Sequence, residues 1–372
     1  MFKKKKLIFS CIIIIIILLI YLSIDAFFGK YFFVNNRIEK EYRISHEIFH
    51  HTLKANFRTK KAYWTNYYSL CTDHGGFKNS CSMSNQKNKD FDLAFIGDSV
   101  TEGIGLEFED TFVGKYSSEK KDLQIANLAV SSYSPKIYYS KINYLLKNNY
   151  KFKHIIIFID PSDIQDDGLI YKFINDEKVI NRTDFTEDIA ERYESKKIKF
   201  PISKFLRTFI KNRLNVYFNK IVNKDHNYEI KNFAFFFEKN DLYNRFAWTF
   251  DSTVDNFYGP NGINGAIDES IFYMKKLTDL LKKNNIKFSI AVYPLPPQMM
   301  FDNLDSVQVK IWKDFCAKNL CDNFINLFDS LFSIQNGDAF KFYKEYFIYG
   351  DVHFNKKGNQ LIVDELLKLK FN

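Results

Sequence analysis

Phe91-Asp-Leu-Ala-Phe-Ile96 is a short apolar run, and it is followed at once by Gly97-Asp98-Ser99-Val100-Thr101-Glu102-Gly103. A short apolar run that ends at a glycine is typical of a buried parallel strand. A serine directly after such a strand, at the start of the next helix, lies where open α/β sheets bind ligands. The N–H groups of that helix can stabilise an oxyanion, so Ser99 is a candidate nucleophile. The alternative is a capping box between Ser99 and Glu102.

After this stretch, apolar runs alternate along the chain with segments of helical spacing. Further strands are predicted at 123–128, 154–159, 286–293 and 323–327, and helices at 136–147, 267–281, 305–318 and 356–369. Such alternation predicts a parallel sheet with helices on both faces.

An insertion at 165–262 interrupts this rhythm. Within it, apolar residues from Ile202 to Ile210 recur at helical spacing among lysines and arginines. Two interpretations stay open, a helix on the membrane surface and a lid helix packed on the main domain.

The amino terminus carries four lysines, Lys3 to Lys6, and then eighteen uncharged residues from Leu7 to Ile24. At about 1.5 Å per residue this segment spans the hydrocarbon core of a bilayer. We expect a cytoplasmic tail at 1–6 and a transmembrane signal anchor at 7–28, with the rest periplasmic or extracellular. A cleaved signal peptide is the competing interpretation. Residues 29–88 are expected to form a stalk and a cap packed by helices, with His46, His50 and His51 at the surface.

Composition limits the possible partners. The net charge is +9, from 53 basic and 44 acidic residues, and the amino-terminal lysines supply four of those charges. The remaining net positive charge is spread too evenly along the chain to indicate nucleic-acid binding. The 40 Phe and 23 Tyr indicate either a compositional bias or a functional aromatic surface.

The cysteines agree with an oxidising compartment. Cys11 lies in the apolar segment, and the other four fall into two close pairs, Cys71 with Cys81 and Cys316 with Cys321. We expect two disulfides. Zinc binding is the rival interpretation, but neither pair has ligand spacing.

The far end of the chain adds a second motif, Gly350-Asp351-Val352-His353-Phe354-Asn355, just before the last predicted helix. If this loop lies at the same edge of the sheet as Ser99, His353 can act as its general base. Asp351 can then orient the imidazole.

Together these motifs resemble the SGNH (GDSL-type) hydrolase superfamily over roughly residues 89–372, with 165–262 as an insertion. The resemblance implies a flavodoxin-like three-layer α/β/α fold with a parallel sheet. It also implies a catalytic triad of Ser99, His353 and Asp351. The spacing Asp351-x-His353 is one residue shorter than the usual motif and is similar to that of membrane-associated polysaccharide acetylation proteins.

The middle motifs depart from the family pattern. In Asn127-Leu-Ala-Val-Ser-Ser-Tyr-Ser-Pro135, Ser132 stands where the family has glycine. In Asp160-Pro-Ser-Asp163, Ser162 replaces the asparagine that completes the oxyanion hole. The resemblance therefore implies an oxyanion hole formed by Ser99, Ser132 and Ser162. Losing one such donor typically costs about 10²–10³ in kcat.

The sequence thus predicts an extracytoplasmic serine esterase or O-acyltransferase that acts on an acylated carbohydrate, without a cofactor or a metal. Polysaccharide-pathway proteins are candidate partners, and nucleic acid is not. The alternatives are a non-catalytic, membrane-anchored assembly subunit and a lipase or thioesterase.

Overall fold

The computed structural model of the protein describes residues 2–29, 39–83, 87–174, 178–181, 202, 203, 210 and 245–371. The chain divides into two compact units, one containing the amino-terminal helix and one containing the sheet. Most of the insertion, including nearly all of the predicted amphipathic helix at 202–210, lies outside the described residues.

The first unit is built around one long helix. Helix α1 spans Phe2–Ile24 and continues as a π-helix over Asp25–Gly29. The stretch Phe9–Phe27 is long and apolar enough to cross a membrane. The length and composition of this stretch agree with the predicted anchor, and a signal sequence would have the same two properties. The orientation of the helix stays a prediction.

Residues 39–83 form antiparallel strands, so the expected cap of packed helices is wrong. After the single-turn helix α2 (Glu39–Tyr42), β1 (Arg43–His46) pairs with β2 (His50–Leu53), and β3 (Arg58–Tyr63) pairs with β4 (Tyr67–Cys71). Strands form here because buried and less buried side chains alternate along β4: Tyr68 and Leu70 are buried, while Tyr67 and Ser69 are not. That period of two is the pattern of a half-buried strand.

The core of the second unit is a five-stranded sheet. Its strands are β5 (Asp90–Ile96), β6 (Ile125–Asn127), β7 (Lys151–Ile159), β10 (Lys287–Val292) and β11 (Phe324–Asn326), while β8 (Tyr171–Ile174) and β9 (Lys178–Asn181) form a separate antiparallel pair. The order is β6-β5-β7-β10-β11, and every pairing is parallel. This order is the flavodoxin-like one, so the predicted fold is confirmed.

Helices cover both faces of the sheet. In chain order they are α3 (Ser99–Glu102), α4 (Phe112–Glu119), α5 (Pro135–Lys147), α6 (Asp163–Gln165), α7 (Gly262–Lys283), α8 (Pro296–Phe301), α9 (Val307–Asn319), α10 (Leu327–Gln335), α11 (Ala339–Tyr346) and α12 (Lys356–Leu367). Helices α4 and α12 pack together on one face, and α5 and α7 on the other. Because both faces are covered, residues 155–159 of β7 are all fully buried.

Both predicted disulfides are present. Cys71 is bonded to Cys81 and Cys316 to Cys321, while Cys11 is free and exposed on α1. The first disulfide ties the end of β4 to the segment that leads toward β5.

The central strand sets the stability of the sheet domain. We expect Ile157→Ala to lower the free energy of unfolding by about 3 kcal/mol, because Ile157 is fully buried and its truncation leaves a cavity. Leu304→Ala removes an apolar side chain that is 54% exposed and should change this value by less than about 0.5 kcal/mol. Urea denaturation of the full chain measures both, and equal losses in the two variants would contradict the described core.

Candidate active site

Ser99 stands at the carboxyl end of β5, as its motif predicts. The strand ends at Ile96, Gly97 and Asp98 follow, and Ser99 is the first residue of α3. A Cβ on Gly97 would lie 2.3 Å from Thr101 Oγ1 and 2.9 Å from Phe158 O, so the turn into α3 has no room for a side chain.

The alternative capping box is not formed. Asp98, and not Ser99, is the N-cap of α3, since its Oδ1 accepts a hydrogen bond from Val100 N at 3.0 Å. Glu102 instead receives two hydrogen bonds from Arg43, at 2.7 and 2.9 Å. Ser99 is therefore not needed to cap its own helix.

His353 and Asp351 form a buried pair in the loop before α12. Nδ1 of His353 lies 3.0 Å from Asp351 Oδ2, which also accepts a hydrogen bond from Trp64 Nε1. The other oxygen, Asp351 Oδ1, accepts from Val352 N at 2.7 Å. Nε2 of His353 is buried and has no hydrogen-bond partner among the described residues. The pair thus has the arrangement of a general base and the carboxylate that orients it.

Electrostatics favour a charged form of this pair. Burial lowers the pKa of His353, but the hydrogen bond and charge of Asp351, with the charges of Asp98 and Asp160, raise it above its usual value overall. Burial raises the pKa of Asp351, and the bonds from His353 and Trp64 outweigh it, so the net shift is downward.

The Ser99 hydroxyl does not bond the imidazole in this conformation. Its Oγ donates to Asp98 Oδ2 at 3.0 Å. Asp98 and His353 are close enough that the charge of each shifts the pKa of the other. The contact between Ser99 and His353 stays a prediction.

Two of the predicted oxyanion residues lie on loops that follow other strands of the sheet. Ser132 has a φ of 61°, a left-handed conformation that favours glycine, which accounts for the glycine of the family pattern at this position. Ser162 is buried at the start of α6, and its N–H donates to Asp160 Oδ1 at 2.8 Å. Their role as oxyanion donors, like that of the Ser99 N–H, stays a prediction.

A cluster of buried carboxylates lies beside these residues. One oxygen from each of Asp98, Asp160 and Asp163 falls within 4.8 Å of the others. Tyr293 Oη donates to Asp160 Oδ2 at 2.8 Å, and Tyr138 Oη donates to Asp163 Oδ2 at 2.8 Å. Oxygens at this spacing can hold a cation, although hydroxyl donors already serve all three groups, since Ser99 donates to Asp98.

The same crowding changes how the cluster ionises. Burial, and then the charge of Asp160, raise the pKa of Asp98 to about 7. Burial, together with Asp160 and Asp98, raises the pKa of Asp163 well above its usual range. Burial and the neighbouring negative charges therefore favour the protonated forms of Asp98 and Asp163.

Sequence reasoning missed the contacts made by residues 39–83. Glu102 Oε2, besides binding Arg43, accepts from Ser131 N at 2.7 Å. His51 Nε2 lies 2.8 Å from Ser131 O, and its ring is half-buried, so its expected surface position is wrong. These partners lie tens of residues apart in the sequence, and no local pattern marks them.

Comparison with known proteins gives structural similarity only. No family model and no curated protein matches the sequence. Solved structures that match include an acetylxylan esterase from Geobacillus stearothermophilus, at 10% identity over 77% of this chain and 98% of that one, with a TM-score of 0.39. An esterase from Pseudoalteromonas matches at 10% identity over 76% of this chain and 96% of that one, with a TM-score of 0.37.

A lipolytic protein of the G-D-S-L family from Veillonella parvula matches at 12% identity over 75% of this chain and 97% of that one, with a TM-score of 0.38. Of these three descriptions, that of the Veillonella protein names the family that the sequence motifs resemble. At such identities and TM-scores the likeness carries no conclusion about residues or substrate.

Proposed function

We propose that the chain is a serine esterase of the SGNH type that uses Ser99, His353 and Asp351. The observation that carries the proposal is the state of the buried imidazole. Its Nδ1 is held by Asp351, while Nε2 is buried without a hydrogen-bond partner among the described residues. A buried polar atom without a partner is costly, and a reacting hydroxyl would satisfy it.

The first step requires the Ser99 hydroxyl to turn from Asp98 to His353. Asp98, with a pKa of about 7, holds a proton in a large fraction of molecules at neutral pH, which weakens it as an acceptor. Hydrogen bonds in empty active sites are often poorly aligned and tighten when substrate binds. Ser99 Oγ then attacks the ester carbonyl while His353 Nε2 takes its proton.

The oxyanion that forms is bound by the N–H groups of Ser99 and Ser132 and by the hydroxyl of Ser162. His353 returns the proton to the oxygen of the leaving alcohol as the carbon–oxygen bond breaks, which leaves an acyl group on Ser99. Water attacks that acyl-enzyme in hydrolysis, and a second hydroxyl group attacks it in transfer. Asp351 stays ionised throughout and stabilises the imidazolium.

For the substrate we propose an O-acetyl group on a carbohydrate, and for the compartment the outer side of the membrane. The two disulfides support a location outside the cytoplasm. The apolar stretch Phe9–Phe27, preceded by the lysines Lys3 to Lys6 in the first turns of α1, supports an anchor with a cytoplasmic amino terminus.

Ser99→Ala should abolish both acetyl-ester hydrolysis and labelling by a fluorophosphonate, because the covalent step needs Oγ. We expect kcat to fall by a factor of about 10³ or more. Ser118→Ala removes an exposed serine hydroxyl and serves as the control, with activity and labelling retained. A wild-type chain that neither hydrolyses acetyl esters nor reacts with the probe would favour the non-catalytic alternative.

Asp98→Asn should move the acid limb of the kcat/KM profile to lower pH. Only neutral His353 can accept the Ser99 proton, so activity falls as the pH drops through the pKa of His353. The charge of Asp98 helps to raise that pKa, and the amide carries no charge. We therefore expect the acid limb to lie at lower pH in Asp98→Asn than in the wild type.

The asparagine oxygen can still cap α3, so the fold should be kept. Asp279→Asn removes an exposed carboxylate on α7 and should leave the profile in place. An acid limb that stays where it is in Asp98→Asn, or moves to higher pH, would show that Asp98 does not act on the general base.

A further inference from the structure

We infer that Trp64, in the turn between β3 and β4, is a positioning residue for the Asp351–His353 pair. The contact between Trp64 and Asp351 is seen in the geometry, and its effect on catalysis rests on the proposed function. It makes the strand pair β3–β4 part of the active site, although the resemblance to the hydrolase superfamily does not extend to this segment.

The contact is direct and specific. The indole Nε1 donates to Asp351 Oδ2, the same oxygen that binds His353 Nδ1 at 3.0 Å. The rings of Trp64 and His353 also meet edge to face, with centroids 5.4 Å apart and an interplanar angle of 90°. The indole thus touches both members of the pair, and the imidazole is held between a carboxylate and an aromatic ring.

The indole removes the rotational freedom of the carboxylate. The N–H of Val352 binds Asp351 Oδ1, and Trp64 and His353 both bind Oδ2. These bonds fix which oxygen of the carboxylate faces the imidazole. Without the indole donor, Oδ2 would keep only the His353 bond, and the carboxylate could rotate about its χ2 angle. A carboxylate that is free to turn no longer fixes the imidazole in the orientation that proton transfer needs.

The turn that carries Trp64 is itself anchored. Trp64 N donates to Asn66 O at 3.2 Å, and the paired residues Ala62 and Tyr68 next to the turn are buried. Gly105, whose φ is 79°, lies next to the indole. A Cβ there would lie 3.4 Å from Trp64 Cδ1 and 3.2 Å from Ile348 Cδ1.

The groups that act on the pair are few. Asp351, Asp98 and Asp160 raise the pKa of His353. Tyr343 Oη accepts a hydrogen bond from Asp351 N at 3.0 Å and donates to Asp351 O. Since Trp64 carries no charge, the loss of its N–H donor changes the pKa of His353 through the charge on Asp351, while the ring contact acts on the position of the imidazole.

The kinetic test is Trp64→Phe, which keeps an aromatic ring and loses the N–H donor. We expect kcat for an acetyl ester to fall about tenfold with KM within twofold. The acid limb of kcat/KM should move to higher pH. Without the indole donor, Asp351 keeps more of its negative charge on Oδ2, so it stabilises the imidazolium more strongly and raises the pKa of His353. Tyr67→Phe in the same strand pair removes the hydroxyl of a side chain that is 73% exposed and is the matched control. Unchanged kcat, or a fall without a shift of the limb, would overturn the inference.

A second test does not depend on activity or on the folding of the Trp64 variant. The chain has three tryptophans, so a spectrum of the full chain in detergent, labelled with ¹⁵N at the indole nitrogen, contains three indole signals. We expect Asp351→Asn to move one of them, and the same signal to follow the pH titration of His353 in the wild type. If no indole signal responds to either change, Trp64 does not bind Asp351, whatever the outcome of the esterase assays.

Discussion

Strand β7 is buried on both faces and paired on both edges, with β5 on one side and β10 on the other. This constraint determines where everything else in the domain can lie. Parallel strands end at the same edge, so the loops after β5, β6 and β7 emerge together. Ser99, Ser132 and Ser162 follow those three strands in turn. Helix α12 packs against α4 on one face of the sheet. The loop that leads into α12 carries Asp351 and His353.

Burial also explains the charges at this edge. Burial and mutual crowding raise the pKa of Asp98 to about 7 and that of Asp163 well above its usual range. Asp351, in contrast, is kept ionised by the donors His353 and Trp64. Asp351 therefore serves as a lasting anion, while the pKa of Asp98 lies near neutral pH. In our proposal this difference lets Asp98 hold the Ser99 hydroxyl at rest and release it for catalysis.

The sheet was predictable because its information is local. Each strand is an apolar run with a clear end, and each helix repeats its apolar residues at helical spacing. Ser99, Asp351 and His353 stood out for the same reason, since each lies in a short motif at an element boundary. The contacts of Arg43, His51 and Trp64 were not predictable, because their partners are distant in the sequence. The strands of residues 39–83 were not predicted either, because the alternation of buried and exposed residues in β4 covers only a few positions.

In the proposed mechanism the Ser99 hydroxyl turns away from Asp98 and becomes the nucleophile that His353 activates. A crystal structure of the chain after reaction with a phosphonate ester would show which residue is modified. We predict a phosphorus–Oγ bond on Ser99, with His353 Nε2 within hydrogen-bond reach of the adduct and a phosphonyl oxygen facing Ser132 N and Ser162 Oγ. An unmodified Ser99 still bonded to Asp98, or an adduct on a different residue, would rule this mechanism out.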